Sequence, residues 1–277
     1  MIQYCANGVT VFQSALYQTT STVLEGESFV LVVDPTWLPE EVETIRNYVT
    51  EVQQDRKLYL LFTHSDWDHI IASAAFPDAV RIGSLALVER PDWQEALDTI
   101  SEFDAKHYLR RSYPIEYPKL DVVIDHDGQR LALGDPDGGA AITFHLAPGH
   151  TPCGLLSFVE PHGVLLVGDY LSDVEMPFIY FGSQPYEATL CKAADMLSEL
   201  AVRVLVPGHG QYTTDVAEMR RRVAAAYEYI AAARAYVRED EGAAAALAGI
   251  LRRYPFATGM KDEHEQNLEL FRRELKG

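Results

Sequence analysis

The sequence predicts an α/β fold assembled from two β-rich halves and completed by C-terminal helices. Two observations carry this expectation. Apolar runs of strand length alternate with segments of helical apolar spacing in both halves, and several of those runs end at a His or an Asp. Beyond residue 215 the strand-like runs stop and long helical patterns take over. The expected division is an α/β domain over 1–215 and a helical appendage over 216–277. Hydrophobic residues make up 48% of 277, enough for a sizeable core, so one large domain with an attachment accounts for the length.

Taken in order, Val9, Val11 and Phe29-Val30-Leu31-Val32-Val33 read as strands, the last ending at Asp34-Pro35. Residues 39 to 54 read as a helix, because Val42, Ile45, Val49 and Val52 recur at helical spacing. Leu58 to Phe62 is a buried strand, and Ile70 to Ala75 opens a short helix that stops near Pro77. Asp92 to Leu109 has a loose helical pattern, which the Tyr113–Pro118 segment with its two prolines cannot continue. That stretch, 91–118, reads equally as a substrate lid or as a connector. Ile142, Phe144 and Leu146 alternate with Thr143 and His145, marking a half-buried strand that runs to Pro148-Gly149-His150. Leu155–Val159 and Val164–Val167 flank a turn at Pro161-His162-Gly163, a hairpin. Residues 187 to 200 are helical, and Val202–Val206 is a strand ending at Pro207-Gly208-His209. Asp215, with Glu218 three residues on, signals a helix start; two further helices are expected near 241–253 and 262–275.

Composition excludes several function classes. A net charge of −18 repels polyanions, so nucleic acid is not an expected partner. The compact basic clusters in the C-terminal third, Arg220-Arg221-Arg222, Arg252-Arg253 and Arg272-Arg273, lie among acidic residues in helical sequence and read as solvated faces. No run approaches the roughly 18 apolar residues of a membrane span. Met1 to Cys5 lacks the basic start of a signal peptide, and three widely spaced cysteines form no disulfide framework. A cytoplasmic enzyme acting on a small molecule is expected; oligomeric state is not readable.

The chemistry concentrates in His64-Ser65-Asp66-Trp67-Asp68-His69, directly after the run Leu58 to Phe62. Imidazoles and carboxylates delivered from one rigid strand edge are what a tight metal site needs. Three later segments repeat the pattern: Pro148-Gly149-His150-Thr151, Val167-Gly168-Asp169 and Pro207-Gly208-His209-Gly210.

In this order and at strand ends, the four segments resemble the metallo-β-lactamase superfamily over roughly residues 5 to 215. The resemblance implies an αββα sandwich of two mixed β-sheets flanked by helices. It also implies two divalent metal ions, with zinc expected and iron or manganese as alternatives. Carried over residue by residue, it assigns His64, Asp66 and His150 to one metal and Asp68, His69 and His209 to the other, with Asp169 bridging. Asp68 is in addition the candidate to orient the attacking water or move its proton. The departure is Asp66, where the family usually has His. Carboxylate is the harder ligand and favours iron or manganese, and members with Glu at this position carry a di-iron site and act on oxygen or nitric oxide. Asp169, where the secreted zinc β-lactamases place a Cys, argues against that group. Trp67 and Tyr170 are candidates to line the substrate pocket, with core packing as the alternative. Asp173 reads either as support for a ligand His or as a loop acid. His107, His126, His145, His162 and His264 lie outside the motifs and are not expected to be ligands.

Two enzyme classes follow. One is a hydrolase of a small ester, lactone, thioester or phosphodiester; its C-terminal helices are similar to those that cover the substrate in glyoxalase II-like hydrolases and lactonases. The other is a di-iron redox enzyme on the same fold, motivated by Asp66. A degenerate member that only binds a ligand or partner is the non-enzymatic alternative, disfavoured by the retained ligand set.

Overall fold

Two mixed β-sheets stack face to face, with helices covering both outer surfaces, in a computed structural model that describes residues 1–276. The first sheet holds seven strands in sequence order: β1 (Ile2–Ala6), β2 (Val9–Gln13), β3 (Thr20–Glu25), β4 (Phe29–Val33), β5 (Lys57–Leu61), β6 (Val80–Ser84) and β7 (Val122–Ile124). Strands β1 to β4 pair antiparallel and β4 to β7 parallel. The second sheet is built from β8 (Gln129–Ala132), β9 (Ala141–Leu146), β10 (Leu155–Glu160), β11 (Val164–Leu166) and β12 (Val204–Val206), of which only β11 and β12 pair parallel.

Three apolar clusters define the layers. Leu31, Tyr59, Phe144 and Val164 lie between the sheets. On the outer face of the first sheet, Val42 and Ile45 of helix α1 (Pro39–Gln53) pack with Val30 and Leu60. On the outer face of the second, Leu156 and Leu165 meet helices α5 (Ser183–Glu199), α6 (Val216–Val237), α7 (Ala243–Leu251) and α8 (Lys261–Glu274) through residues such as Leu190, Met219, Leu247 and Phe271. Each fully buried side chain of this kind contributes roughly 1.5–3 kcal/mol. The C-terminal helices therefore share a core with the second sheet.

Local signals explain most boundaries. Helix α1 starts where Pro39 supplies a preset φ and the Leu38 N–H donates to the Glu41 carboxylate at 3.0 Å. Asp215 caps α6 by accepting from the Ala217 N–H at 2.9 Å, the start its spacing from Glu218 predicts. One strand escapes the apolar pattern: β3, Thr-Ser-Thr-Val-Leu-Glu, is buried through most of its length although half of it is hydroxyl residues. The short helix also differs from expectation. It is α2 (Trp67–Ile70), inside the His/Asp segment rather than after it, because the chain turns helical at Asp66 and the His69 and Ile70 N–H groups donate to its carbonyl.

The 91–118 segment forms no wall of the principal cavity among the described residues. Helix α4 (Trp93–His107), which follows the short α3 (Leu85–Val88), buries Ala96 and Ile100 in the same cluster as Tyr113. The Arg111 guanidinium pairs with Asp104 at 2.8 Å and donates to the Trp37 carbonyl, clamping the connector to the body of the domain.

Register places the site. Val33 is opposite Leu61 in the parallel β4–β5 pair, so Asp34 and Thr63-His64 emerge side by side. Leu166 is opposite Val206 in the parallel β11–β12 pair, so Gly168-Asp169 emerges beside Gly208-His209. Both pairs offer their carboxyl ends, where open α/β sheets ordinarily receive ligands.

Candidate metal centre

Four imidazoles converge on one carboxylate. Oδ2 of Asp169 lies 3.6 Å from His64 Nε2, 3.2 Å from His150 Nε2 and 3.3 Å from His209 Nε2. Its other oxygen, Oδ1, is 3.1 Å from His69 Nε2. The approach is close enough that Gly208 is required: a Cβ there would sit 2.1 Å from Asp169 Oδ1. Gly149, at φ +141°, likewise lets the turn before His150 pass against the Tyr186 backbone.

Each imidazole is held through Nδ1 so that Nε2 faces inward. His69 donates to Asp34 Oδ2 at 2.9 Å, His150 to the Phe178 carbonyl at 2.8 Å and His209 to the Tyr17 carbonyl at 2.9 Å. His64 Nδ1 lies 3.0 Å from Thr63 Oγ1, whose own proton goes to Asp34, leaving that oxygen to accept. A protonated Nδ1 leaves a lone pair on Nε2, the arrangement in which imidazole ligates metal.

The donor atoms form three overlapping groups, each drawn together within 4.8 Å: His64, Asp66, His150 and Asp169; Asp68, His69 and His209; and Asp34 with His64 and His69, where Asp34 is already taken up by Thr63 and His69 Nδ1 and acts as a support. Asp68 Oδ2 is 3.4 Å from His209 Nε2 and 3.5 Å from His69 Nε2. Asp66 divides its two oxygens. Oδ2 points inward, 3.2 Å from His150 Nε2, while Oδ1 accepts from the Tyr180 hydroxyl and lies 3.9 Å from Arg90 Nη1.

The electrostatics call for a cation. Burial alone would lower the imidazole pKa values, yet the Asp169 and Asp68 carboxylates hold His69 well above its ordinary range, and Asp169 with Glu175 lifts His209 to about 10. Burial opposes ionisation of Asp169 as well, but His209, His69 and His64 hold its carboxyl well below the usual carboxylate range. Protons and metal ions therefore compete for the same inward-facing atoms. Three of those atoms, His64 Nε2, His150 Nε2 and Asp169 Oδ1, are buried without a hydrogen-bond partner among the described residues. Left unmatched, such an atom costs about 1–3 kcal/mol. Borderline nitrogen and hard oxygen donors in two adjacent sets, with unpartnered lone pairs aimed at common points, fit two divalent metal ions.

Supporting residues outside the motifs matter as much. Asp34 accepts from the Thr63 N–H at 2.9 Å as well as from His69, so one carboxylate orients two consecutive parts of the centre. Its sequence signal is the one that marks Asp169, an acid just past an apolar run. Asp173 accepts from the Gln211 N–H at 2.8 Å and steadies the loop that carries His209. Cys153 is buried and accepts from the Ser65 N–H, a packing role. Tyr170 does not line the pocket as expected. It is 2% exposed, its hydroxyl donating to the Ala147 carbonyl and accepting from the His150 N–H at 3.0 Å, so it anchors the His150 turn from behind. Trp67 does lie on the cavity wall.

That cavity, about 440 Å³, opens from Asp66, Asp68, His150, Asp169 and His209 and is otherwise largely apolar. Met176, Pro177 and Phe178 line it together with Tyr254, Phe256 and Met260 from the C-terminal region. Glu175, its carboxyl pushed up to about 7 by burial, and Glu263 of α8 also face it. Tyr17 reaches in from the loop before β3; burial, then Asp68, Glu263 and Glu175, raise its phenol pKa.

An αββα sandwich that gathers His and Asp ligands at the carboxyl ends of its strands defines a metal-dependent enzyme class. The chain belongs to the metallo-beta-lactamase superfamily, whose family model matches residues 15–209. A comparison with curated protein sequences finds no match. Among solved structures it is similar to a stereoselective inverting sec-alkylsulfatase from Pseudomonas sp., at 12% identity and a TM-score of 0.64, covering 86% of this chain and 42% of that one. The chain thus spans less than half the length of that neighbour. It is also similar to a metallo-beta-lactamase family protein from Thermus thermophilus (22% identity, TM-score 0.61, 96% of this chain and 94% of that one). An archaeal superfamily protein from Sulfolobus tokodaii matches at 16% identity and a TM-score of 0.57, over 97% of this chain and 100% of that one. At these identities the neighbours establish the fold. No helix is long and apolar enough to cross a membrane among the described residues.

Proposed function

We propose that the protein is a dinuclear hydrolase of a small ester, lactone, thioester or phosphodiester. The observation that carries this reading is Asp169, whose two carboxylate oxygens are shared between the two donor groups. His64, Asp66 and His150 would hold one metal and Asp68, His69 and His209 the second, with Asp169 placed between the two groups. When bound, two divalent cations polarise the scissile group and acidify a shared water toward neutrality. Asp34, Thr63 and the Phe178 and Tyr17 carbonyls keep the imidazoles in one tautomer and one orientation. Asp68, which reaches both the His69–His209 pair and the cavity, takes up the proton released by the attacking water and returns it to the leaving group. The apolar cavity walls seat the organic part of the substrate and exclude bulk water.

In this reading residues 1–215 supply the metal chemistry and 216–277 the wall that meets the substrate. A cytoplasmic setting accords with three free cysteines, of which Cys5 and Cys191 are exposed. Asp66 gives the first group two carboxylates beside two imidazoles, a donor set harder than three imidazoles, and this favours the di-iron redox alternative. Metal analysis beside a panel of esters, lactones, thioesters and phosphodiesters separates the two. Zinc or manganese with turnover is the expected result; stoichiometric iron with a visible absorption band and no hydrolysis overturns it.

A further inference from the structure

Two carboxylates besides those of the strand-end motifs line the cavity, Glu175 and Glu263. Glu263 stands in the first turn of α8, where an acidic residue ordinarily serves the helix's free N–H groups. It does not do so here. Its Oε2 is buried at the cavity wall and has no hydrogen-bond partner among the described residues. Glu175, also on the wall and 3.8 Å from His209 Nδ1, adds further acceptor atoms.

No free cation balances these groups. Among the described residues that line the cavity, Arg222 is the one permanent cation, and its donors are engaged. Nε donates to Glu218 at 2.9 Å, and Nη1 donates to the Gln211 carbonyl at 2.8 Å and the Leu171 carbonyl at 3.3 Å. Nη2 faces Asp173 at 3.8 Å. Two divalent cations would be largely offset by the Asp66, Asp68 and Asp169 carboxylates. What remains at the substrate end is carboxylate oxygen among aromatic faces, with Trp67, Phe178, Tyr254 and Phe256 on the walls. Rings and carboxylates together favour a cation and repel an anion.

We propose that Glu263 is a specificity-determining residue, and that the substrate carries a protonated amine or comparable cationic donor on an apolar stem. This deepens the hydrolase reading and rests on it. It disfavours substrates whose non-reacting part is anionic, because that part would face an acceptor with nothing to donate to it.

The test uses metal-loaded protein and para-nitrophenyl esters of straight-chain acids in three series of rising length, ending in ammonium, methyl or carboxylate. The ammonium series should exceed the methyl series of equal length in kcat/KM by about 10- to 100-fold at its best length. Most of that gain should appear in KM, and Glu263→Gln should remove it while leaving the methyl series within about twofold. Equal rates for the ammonium and methyl series at every length, a preference for carboxylate, or a Glu263→Gln variant that keeps the ammonium preference overturns the proposal. Absence of ester turnover in all three series bears on the hydrolase reading instead. The recognition is then read by titrating n-alkylammonium ions against n-alkanols of the same length, with Trp67 fluorescence as the signal. Tighter binding of the ammonium ions that Glu263→Gln abolishes sustains the proposal, and indifference to charge overturns it.

Discussion

The two ends of the cavity are built by opposite means. At the strand ends each of the four inward-facing imidazoles is held twice, by the backbone that delivers it and by a partner at Nδ1, as with His69 between Asp34 and Asp169. The wall formed by Tyr254, Phe256, Met260 and Glu263 is held mainly by apolar packing of α6, α7 and α8 against the second sheet, with scattered bonds such as that from the Phe256 N–H to the Val174 carbonyl at 3.3 Å. Parallel strand pairs specify positions to within a hydrogen bond, whereas helix packing specifies a surface. The first suits chemistry that fails on small misplacements, and the second suits recognition, which tolerates variation.

The largest expected break in this contrast comes from the strand-end side. Replacing Asp169 or His209 with Ala should lower metal-dependent turnover by on the order of a thousandfold or more and remove metal from the purified protein. Survival of turnover in both variants rules out the dinuclear mechanism. On the helical side, Leu268→Ala truncates a residue 2% exposed in the α8 core. It should cost about 2–5 kcal/mol in denaturant unfolding while metal content stays unchanged; loss of metal would show that the two ends are not independent.

Between these lies Asp34→Asn, which retains the side chain's shape and weakens the support of His69 and Thr63. Metal affinity measured against a chelator should drop about 10- to 100-fold with the circular dichroism spectrum preserved. The smallest effect concerns Glu218, whose carboxyl is lowered to about 2 by its hydrogen bond from Arg221, together with that from Arg222. A depressed folded-state pKa means the contribution is present above the ordinary value near 4.5 and is lost as pH falls toward 2. Glu218→Gln should therefore flatten part of the stability decline between those pH values in acid titrations of metal-free protein. An acid limb identical to that of the parent would show that the exposed part of this network contributes nothing measurable.

Asp66 sharpens the comparison because it belongs to both styles. Its inner oxygen faces His150, and its outer one accepts from the hydroxyl of Tyr180, a residue 37% exposed. Asp66→His should shift metal preference toward zinc without unfolding the chain, as read by metal competition. An unchanged preference would remove Asp66 from the ligand set.

Much of the strand-end side is readable from residues alone, since a His or Asp just past an apolar run is a local signal. That signal located His64, Asp66, Asp68, His69, His150, Asp169 and His209, all of which the fold gathers around one point. The same signal was present at Asp34 and passed over, because one acid before a proline looks like an ordinary turn. Strand β3 was hidden by its hydroxyl residues, which are buried by strand pairing and not by hydrophobicity. Tyr170 adjoins Asp169 in sequence and yet points the opposite way, behind His150.

The sequence by itself determined which candidate donor residues this protein carries, the order in which strands deliver them, and the helical character of the chain beyond residue 215. Each depends on spacing along a few neighbouring residues. The tertiary structure alone decided that Asp169 shares its oxygens between two groups, that Asp34 orients His69 from 35 residues away, and that Glu263 faces the cavity with an unpartnered oxygen. Strand register and helix packing set those relations, and both are settled by contacts between segments far apart in the chain.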